Sequence, residues 1–374
     1  MNPQSQDLFT TLSSSQTGPS ELGSRIELKP SQHVHISYLT PAQTKVWDDY
    51  VERHTAGTFF HLSGWKRVME EGLGHRTHFL LAERAGTVVG VFPLAEVKSL
   101  LFGHHLVSLP FCVYGGALCD DPDVTGALHK RARELADNLN VETLELRHRD
   151  APMNFESEHP PGTIKDLYYT FRKENYLAGI PHKKLGQARQ GSGNGLVFSV
   201  EDDLKGFLYA YNTLLRDHGT PAFPDRYFHA LRESFGDACE ITTIRRNNGA
   251  VVHGHMVFYF RNECLPYYGG GPRVARDLKA NIFAHFKLME RAAERGVQIF
   301  DFGRSKKGSG HFTYKQEWGF TPQRLPYEYH LIGATEVPDL NPLNPKFQIA
   351  IGVWKRLPVW LARRLGPWAS PYLG

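Results

Sequence analysis

The chain contains one ordered series of sequence elements twice, and this repeat constrains the fold more than any other feature. In the first copy, two apolar runs at residues 79–84 and 88–94 flank an Ala-Gly turn. A Tyr-Gly-Gly sequence at 114–116, an amphipathic stretch at 124–138 and an apolar run at 142–147 follow. This order predicts a strand, a tight turn, a strand, a helix and a strand.

The second copy has the same elements in the same order. Residues 241–245 and 251–258 flank an Asn-Gly turn, and Tyr-Gly-Gly recurs at 268–270. A helical stretch at 277–295 precedes an apolar run at 297–302. The spacing from the tyrosine to the acidic residue of the last run is 31 residues in the first copy and 33 in the second. We therefore predict two α/β modules of one kind, each a mixed, largely antiparallel sheet flanked by helices.

The helix predicted at 277–295 has one apolar face. Its apolar residues recur at three- and four-residue steps, which is the period of a helix packed on a sheet. Gly296 predicts its end. His285 and Lys287 are predicted to lie off the apolar face.

Length and composition fit two folded domains between two tails. The 374 residues are 41% hydrophobic and the net charge is only +4, which argues against a nucleic-acid coat. Residues 1–30, rich in Ser, Gln, Thr and Gly, are predicted to be disordered. The modules are predicted at 33–170 and 171–335, and residues 336–374 form a tail rich in proline and tryptophan.

This C-terminal tail has two interpretations. Its tryptophans at 354, 360 and 368 would pack against the body as a clasp, or an amphipathic helix would lie on a membrane surface. The cations for such a surface are Lys355, Arg356, Arg363 and Arg364.

The expected compartment is inferred from the targeting and membrane-spanning signals that the sequence lacks. The chain starts without an apolar signal region and has no apolar run near 18 residues, which predicts a cytoplasmic protein or one at the inner membrane face. Cys112, Cys119, Cys239 and Cys264 lack zinc-type spacing and are predicted to fill cores or strands.

A basic, glycine-containing segment follows the last apolar run. After Asp301 come three cations, Arg304, Lys306 and Lys307, among the glycines at 303, 308 and 310. Such a loop lets the backbone approach an anionic ligand closely, and α/β proteins often bind ligands after a strand. The alternative is a solvated turn whose glycines serve only its geometry.

Several segments are shared with one family of proteins. They are residues 217–221 (Asp-His-Gly-Thr-Pro), 268–270, Asn281, 301–310, 314–320 and 344–358. On these residues the chain resembles the FemAB-like proteins of the GNAT acyltransferase superfamily. Within them it looks most like the FemAB-type proteins found with exosortase and PEP-CTERM exopolysaccharide systems. The similarity runs from about residue 35 to the end, and its most specific segment is the one that begins at Asp301.

The resemblance implies both a fold and an activity. It implies two tandem GNAT-like modules, in agreement with the repeat. FemAB relatives move an aminoacyl group from charged tRNA onto an amine of a peptidoglycan precursor, and other branches use acyl-CoA. For this chain it implies acyl transfer to an amine or hydroxyl of a cell-envelope or exopolysaccharide precursor, with no permanently bound cofactor or metal. The alternative is a non-catalytic binding or scaffold protein in an exopolysaccharide or exosortase-linked export system.

Two glycine-rich segments are candidates for holding donor phosphates. Residues 190–195 fit the Q-x-x-G-x-G pattern by which acetyltransferases hold the coenzyme A pyrophosphate, but they follow a helix and lead into a strand. We interpret them as a flexible loop. The segment after the second Tyr-Gly-Gly stands between a strand and a helix, where backbone amides can face phosphates, and is the better cradle. Its residues are Gly270, Gly271, Arg273 and Arg276.

The proposed reaction needs an oxyanion or phosphate partner and a proton acceptor. Lys315 is the candidate for the first role, and Asp301 or His218 for the second. Asp301 would otherwise pair with Arg304, and His218 would otherwise be a residue favoured at a helix C-terminus. The substrate-binding candidates are Arg304, Ser305, Lys306, Lys307, Gly308, Tyr268, Asn281 and Asp217. In the first module, residues 145–149 replace the glycine-rich loop and are predicted to be structural.

Overall fold

The computed structural model describes residues 33–100, 102–150, 163–165, 167–337 and 345–373. The predicted disordered tail at 1–30 lies outside the described residues. No described helix combines the length and the apolar character needed to cross a membrane. All four cysteines are free thiols, and three of them are buried, as predicted.

The described residues form seventeen strands and eleven α-helices. The strands are β1 (Val34–Tyr38), β2 (Arg76–Thr77), β3 (Leu80–Arg84), β4 (Thr87–Phe92), β5 (Ala95–Ser99), β6 (Gly103–Val107), β7 (Leu118–Cys119), β8 (Thr143–Arg147), β9 (Thr163–Lys165), β10 (Tyr168–Glu174), β11 (Leu196–Val200), β12 (Cys239–Arg246), β13 (Val251–Phe260), β14 (Glu263–Gly270), β15 (Ile299–Lys306), β16 (Gln323–Arg324) and β17 (Tyr327–Leu331). The helices are α1 (Thr44–Arg53), α2 (Gly64–Arg67, continued by a π-helical turn), α3 (Pro122–Leu139), α4 (His182–Gly193), α5 (Leu204–His218), α6 (Asp225–Phe235), α7 (Val274–Asp277), α8 (Ala280–Glu294), α9 (Gly310–Gln316), α10 (Pro345–Trp354) and α11 (Val359–Leu365).

The predicted repeat is present in the structure. Strands β3 and β4, helix α3 and strand β8 form the first copy, and β12, β13, α8 and β15 form the second. The first module has a four-stranded sheet in the order β1-β3-β4-β7 and a six-stranded sheet in the order β2-β5-β6-β8-β17-β9. The second has one seven-stranded sheet in the order β11-β12-β13-β14-β15-β10-β16. The prediction of two mixed α/β modules is confirmed.

The two modules exchange strands. Strand β10 spans the predicted boundary at residue 170 and pairs entirely within the second sheet, antiparallel to β15. Strand β17, predicted to belong to the second module, pairs with β8 in the sheet of the first. One aromatic-rich core runs through both modules and includes Phe59, stacked on Phe258 with ring centroids 4.6 Å apart. The modules therefore share a core as well as strands.

Three local predictions were wrong. Residues 303–306, predicted to lie in a loop, continue strand β15, and only residues 307–309 separate it from α9. Residues 190–193, interpreted as a flexible loop, are the last turn of α4. Residues 269–270, assigned to a phosphate loop, end strand β14. The sequence signals for a loop were glycines in all three cases.

Candidate functional site

The second module contains two parallel strands that separate. Strands β14 and β15 pair only at Glu263 with Ile299 and at Cys264 with Phe300, and then diverge. In β14, Pro266 pairs with Val257 of β13 and Tyr268 pairs with Met256, which leaves Tyr267 between them as an extra residue. Such a bulge bends a strand. We call the resulting opening the β14/β15 wedge.

Three imidazoles lie beside the wedge, on the side of α8. His253 and His255 come from β13 and His285 from α8, with the His255 ring 4.4 Å from that of His253 and 4.7 Å from that of His285. A Cβ atom on Gly269 would lie 2.1 Å from Cδ2 of His255, so this imidazole packs directly on β14. The ring of His285 lies 5.2 Å from that of Phe302 on β15. The three histidines thus bridge from β13 to β15.

These histidines are neutral at pH 7. Burial, together with the neighbouring imidazole of His285, lowers the pKa of His253 to about 3. Burial also lowers the pKa of His255 well below its usual value, and that of His285 to about 4. The described residues contain no group of three or more ligand side chains arranged to hold a metal ion. The cluster is therefore a set of neutral hydrogen-bonding groups.

The prediction that His285 lies off the packed face was wrong. Its Nδ1 is 2.8 Å from the carbonyl oxygen of Asn281 and 3.2 Å from the hydroxyl of Tyr314 on α9. Two buried polar atoms beside it have no hydrogen-bond partner, Oδ1 of Asn281 and Nδ1 of His253. Lys287, in contrast, is half-exposed and pairs with Glu290, as expected for the outer face.

Lys315 is buried at the base of the wedge. It lies on α9, and its Nζ donates to the carbonyl oxygens of Gly303 at 2.9 Å and Arg304 at 3.0 Å. Gly303 has a φ of +67°, and the register of β15 against β10 shifts at this point. Burial lowers the pKa of Lys315 to about 7, although the nearby Asp301 carboxylate opposes the shift. Lys315 thus holds two carbonyls of the bulged strand.

Asp301 is buried and fully hydrogen-bonded. Oδ1 accepts from the backbone N–H of Gly303 at 2.7 Å and from Oγ1 of Thr170 at 3.0 Å, and Oδ2 accepts from the hydroxyl of Tyr114 at 2.9 Å. No ion pair joins it to Arg304, so the alternative that these two residues pair was wrong. Instead Asp301 binds a tyrosine of the first module.

Arg304 lies among tyrosines rather than in an exposed loop. Its guanidinium carbon is 4.8 Å from the ring centroid of Tyr168 and 5.9 Å from that of Tyr327. Side chains alternate between the two faces of a strand, so residues three positions apart normally lie on opposite faces. The extra residue at Gly303 shifts this alternation and places Asp301 and Arg304 on the same face. Cation–π contacts of this kind hold an arginine in place.

Cations and histidines surround the carboxyl ends of β14 and β15. Arg273 and Arg276 follow β14 and are exposed, His218 ends α5, and His311 begins α9. The ring of His218 lies 6.2 Å from that of His311, and Nε of Arg273 lies 3.6 Å from Oδ2 of Asp217. Desolvation lowers the pKa of His218, which Asp217 opposes. We call Arg273, Arg276 and the adjacent Lys355 the cationic rim, beside which His218 and His311 lie.

The glycines of the predicted phosphate cradle are packed against protein atoms. A Cβ on Gly270 would lie 2.2 Å from Cδ2 of Leu214, and one on Gly271 would lie 2.1 Å from the carbonyl oxygen of Val252. These glycines are required by the contact of β14 with α5 and β13, whether or not a ligand binds.

The other predicted site residues are divided between surface and core. Lys307 and Gly308 are exposed in the turn after β15, and Ser305 is buried. Tyr268 is buried, with its hydroxyl 2.6 Å from that of Tyr227. The structure thus brings Asp217, His218 and Arg273 together, but places Tyr268 in the core.

A second cleft lies between the modules and was not predicted. It has a volume of about 400 Å³ and is lined by Tyr114, Arg149, Asp150, Thr170, Arg172, Gln323, Arg324 and Pro326. A neighbouring cleft of about 350 Å³ shares Arg172 and Gln323 with it. Tyr114 belongs to a repeated Tyr-Gly-Gly sequence, the one signal that pointed here. In the first module, Arg147 is buried and donates to Glu145 and to backbone carbonyls, which agrees with a structural role.

Comparison with protein families identifies the class to which the second module is similar. Residues 183–316 match the acetyltransferase (GNAT) domain, a range that extends from α4 to α9 and includes the wedge. Comparison with curated proteins gave no match.

Solved structures share the fold of most of the chain. The structure of FemX superposes with a TM-score of 0.60 at 14% identity, covering 80% of this chain and 98% of that one. L-PGS from Bacillus licheniformis gives 0.54 at 13% identity, covering 86% and 99%. A tandem GNAT protein from the clavulanic acid biosynthesis pathway gives 0.52 at 13% identity, covering 81% and 100%. The predicted tandem GNAT-like fold is thus confirmed, whereas the link to exosortase and PEP-CTERM systems stays a prediction.

Proposed function

We propose that the chain is an acyl- or aminoacyltransferase whose active site is the β14/β15 wedge. The observation that carries the proposal is the separation of two parallel strands, with imidazoles packed beside the opening and cations at the strand ends. Crevices at the carboxyl ends of parallel strands are where α/β sheets bind ligands. The acetyltransferase match includes both strands.

The cationic rim is proposed to hold the phosphates of the donor. Arg273 and Arg276 are exposed just after β14, and Lys306 ends β15 with Lys307 following it on the other side of the opening. Arginine binds phosphate oxygens through two parallel N–H donors. An acyl-CoA and an aminoacyl-tRNA both carry such phosphates, and both are candidate donors.

The proposed reaction forms one bond and breaks one. The amine or hydroxyl of the acceptor bonds to the acyl carbonyl carbon, and the C–S bond of a thioester or the C–O bond of an ester breaks. The attacking group loses a proton and the leaving group gains one. His218, neutral and exposed at the rim, is the candidate acceptor of that proton, and the hydroxyl of Tyr314 beside His285 is the candidate donor.

The buried predicted residues take supporting roles in this proposal. Lys315 places a titrating amine beneath the wedge and holds the Gly303 and Arg304 carbonyls. Asp301 positions Tyr114 instead of accepting a proton from substrate, because donors occupy both of its oxygens. Tyr114 also lines the cleft between the modules, which makes that cleft the proposed acceptor site.

The proposed acceptor is an amine or hydroxyl of a cell-envelope or exopolysaccharide precursor. The resemblance to exosortase-associated proteins supports this choice, and a cytoplasmic location stays part of the proposal. Among structural neighbours, the name of a putative lysylphosphatidylglycerol synthetase from Agrobacterium fabrum describes an aminoacylated phospholipid, and its fold overlaps this one with a TM-score of 0.51 at 12% identity.

Donor binding tests the proposal directly. Acetyl-CoA, a longer acyl-CoA and a charged tRNA are titrated into the protein by calorimetry, with Arg276→Ala as the rim variant and Lys205→Ala, an exposed cation on α5, as the control. We expect one donor to bind and the rim variant to lose roughly tenfold in affinity, the size of one charge-assisted contact. No binding of any donor would refute the transferase proposal.

One observation favours the non-catalytic alternative. Neither cleft is lined by Lys315 or Arg304, and both side chains are engaged in contacts within the protein. A scaffold would retain cleft binding without turnover. Incubation with a bound donor and hydroxylamine as a general acceptor separates the two proposals, since only a transferase would accelerate release of the acyl group.

A further inference from the structure

The C-terminal tail exposes an unusual amount of apolar surface. Six of the fifteen exposed large apolar side chains in the described part of the chain lie between residues 345 and 373. They are Ile349 at 80%, Val353 at 56%, Trp360 at 68%, Leu365 at 40%, Trp368 at 82% and Leu373 at 37% relative exposure. Two tryptophans this exposed are costly in water, and clustered apolar surface marks an interaction site.

The charge of the tail has one sign. Residues 345–374 contain two lysines, three arginines and no acid, whereas the whole chain has a net charge of only +4. Arg363 pairs with Asp225 of α6. Lys355, Arg356 and Arg364 are exposed, and Arg356 and Arg364 pair with no described acidic residue. Cations therefore stand beside the exposed tryptophans.

The opposite side of the tail is fixed to the body of the protein. Ala362 is buried where α11 packs on α5, and the carbonyl oxygen of Leu357 accepts from Arg216 at 2.9 Å. Near the end, the carbonyl oxygen of Pro371 lies 2.8 Å from Nε2 of His75 in the first module. The tail is thus packed against the body on its inner side, and this packing holds the exposed apolar side chains outward.

We infer that the outer face of residues 349–373 binds an anionic lipid bilayer. Tryptophan favours the interface between water and lipid, and apolar side chains combined with cations are what interfacial helices use to bind acidic headgroups. A protein partner would need acidic groups placed against each cation, whereas an anionic membrane supplies negative charge across the whole face. Charge complementarity therefore selects the bilayer.

The tail places this face beside the candidate active site. A Cβ on Gly219, the residue after His218, would lie 2.7 Å from Cγ2 of Ile351 and 3.2 Å from Cε of Lys355. Lys355 is part of the cationic rim. If the wedge is the active site, which is the function proposed above, its opening lies next to the bilayer, and the acceptor class is an amine or hydroxyl carried by a membrane-anchored precursor.

Vesicle flotation with the full chain tests the inference without a donor. Vesicles of equal parts phosphatidylglycerol and phosphatidylcholine are compared with phosphatidylcholine alone, at low and high salt. The variants are Trp360→Ala/Trp368→Ala and Arg356→Gln/Arg364→Gln. The matched controls are Leu100→Ala, exposed in the first module, and Lys98→Gln, an exposed cation nearby.

We expect binding to the anionic vesicles that weakens with salt. The arginine double variant should bind the anionic vesicles roughly thirtyfold more weakly than the wild type, and the tryptophan double variant at least about tenfold more weakly. Both controls should bind like the wild type. No binding, or equal binding by all variants, would overturn the inference. A wild-type dimer in light scattering that the tryptophan variant abolishes would also overturn it, in favour of a second copy. Because calorimetry with soluble donors needs no vesicles and none of the four residues varied here, failure of vesicle binding leaves the transferase proposal standing.

Discussion

The hydroxyl of Tyr114 in the first module donates a 2.9 Å hydrogen bond to Oδ2 of Asp301 in the second. Tyr114 is in the Tyr-Gly-Gly sequence of the first repeat, and Asp301 is the acidic residue of the last strand in the second. The loop that carries Tyr114 contains Leu109 and Phe111, whose φ values of +58° and +66° are unfavourable for these residues. A bond between repeats therefore holds a strained loop at the module interface.

Tyr114→Phe tests the contribution of this bond. Removing the hydroxyl leaves a buried carboxylate oxygen without its donor, which should lower the free energy of unfolding by about 2 kcal/mol. Tyr209→Phe is the control, because Tyr209 is 55% exposed. The measurement is urea unfolding followed by circular dichroism. Equal stability of wild type and Tyr114→Phe would show that the bond contributes nothing to folding.

Lys315 should make stability depend on pH above neutrality. Its pKa is about 7 in the folded protein, whereas an unperturbed lysine has a pKa of 10.5, so between these values the unfolded chain binds more protons. Stability therefore rises with pH in this window. Relative to Lys315→Met, the free energy of unfolding of the wild type should increase by on the order of 2 to 3 kcal/mol from pH 7 to pH 9.

The matched control for this titration is Lys205→Met, an exposed lysine on α5. The difference in unfolding free energy between wild type and this control should stay constant over the same range. A constant difference for Lys315→Met as well would contradict the buried amine. Loss of activity in Lys315→Met with unchanged stability at pH 7 would favour a direct role in the reaction over support of the strand.

The buried histidines should make stability depend on pH below neutrality. The pKa of His253 is lowered from 6.5 to about 3, so below pH 6.5 the unfolded state takes up a proton that the folded state does not. Stability is lost as the pH falls. Between pH 6.5 and pH 5 this residue should account for about 2 kcal/mol of that loss, which His253→Leu should remove. His229→Gln, an exposed histidine on α6, should leave the loss unchanged in the same urea series.

The sequence predicted the modules because their signals are local. Apolar periodicity and turn residues lie within each strand–turn–strand unit, and the two copies reinforce each other. Residues 303–306 were mistaken for a loop because the strand that pairs with them is distant in the sequence. Thr170 of β10 pairs with Arg304, and Lys315 donates hydrogen bonds to the carbonyl oxygens at the bulge of Gly303. Neither contact has a signal near residue 301.

The same limit explains the error at residues 190–193. Helix α4 ends in a glycine-rich stretch that would not be helical alone. Gly191 is nevertheless within it because a Cβ there would lie 2.6 Å from Cβ of Phe283, so the glycine allows α4 to approach α8.

For the candidate site, the resemblance pointed to Asp217 and His218, and the glycine-rich segment after β14 pointed to Arg273, but no sequence signal joined the three. The alternation of His253 and His255 puts both on one face of a strand that could reach a cleft, but an imidazole on a strand or helix carries no signal of its partners, so the sequence assigned neither of them a role.

Gly271→Ala separates a packing role from a ligand-binding role at the predicted cradle. A Cβ at this position would lie 2.1 Å from the backbone carbonyl oxygen of Val252, which cannot rotate away. Overpacking of this kind should cost about 2 to 3 kcal/mol of unfolding free energy. Gly310→Ala is the matched control, because Gly310 begins α9 and a Cβ there meets nothing within 4 Å.

Urea unfolding and donor calorimetry distinguish a packing role of Gly271 from a ligand-binding role. If packing requires the glycine, Gly271→Ala is destabilised in urea while Gly310→Ala is unchanged or slightly more stable, since alanine favours a helix over glycine. If the glycine serves only the approach of a phosphate, Gly271→Ala keeps its stability and loses donor affinity in calorimetry. The short distance to Val252 leads us to expect the first result, because the clash exists in the protein without any ligand.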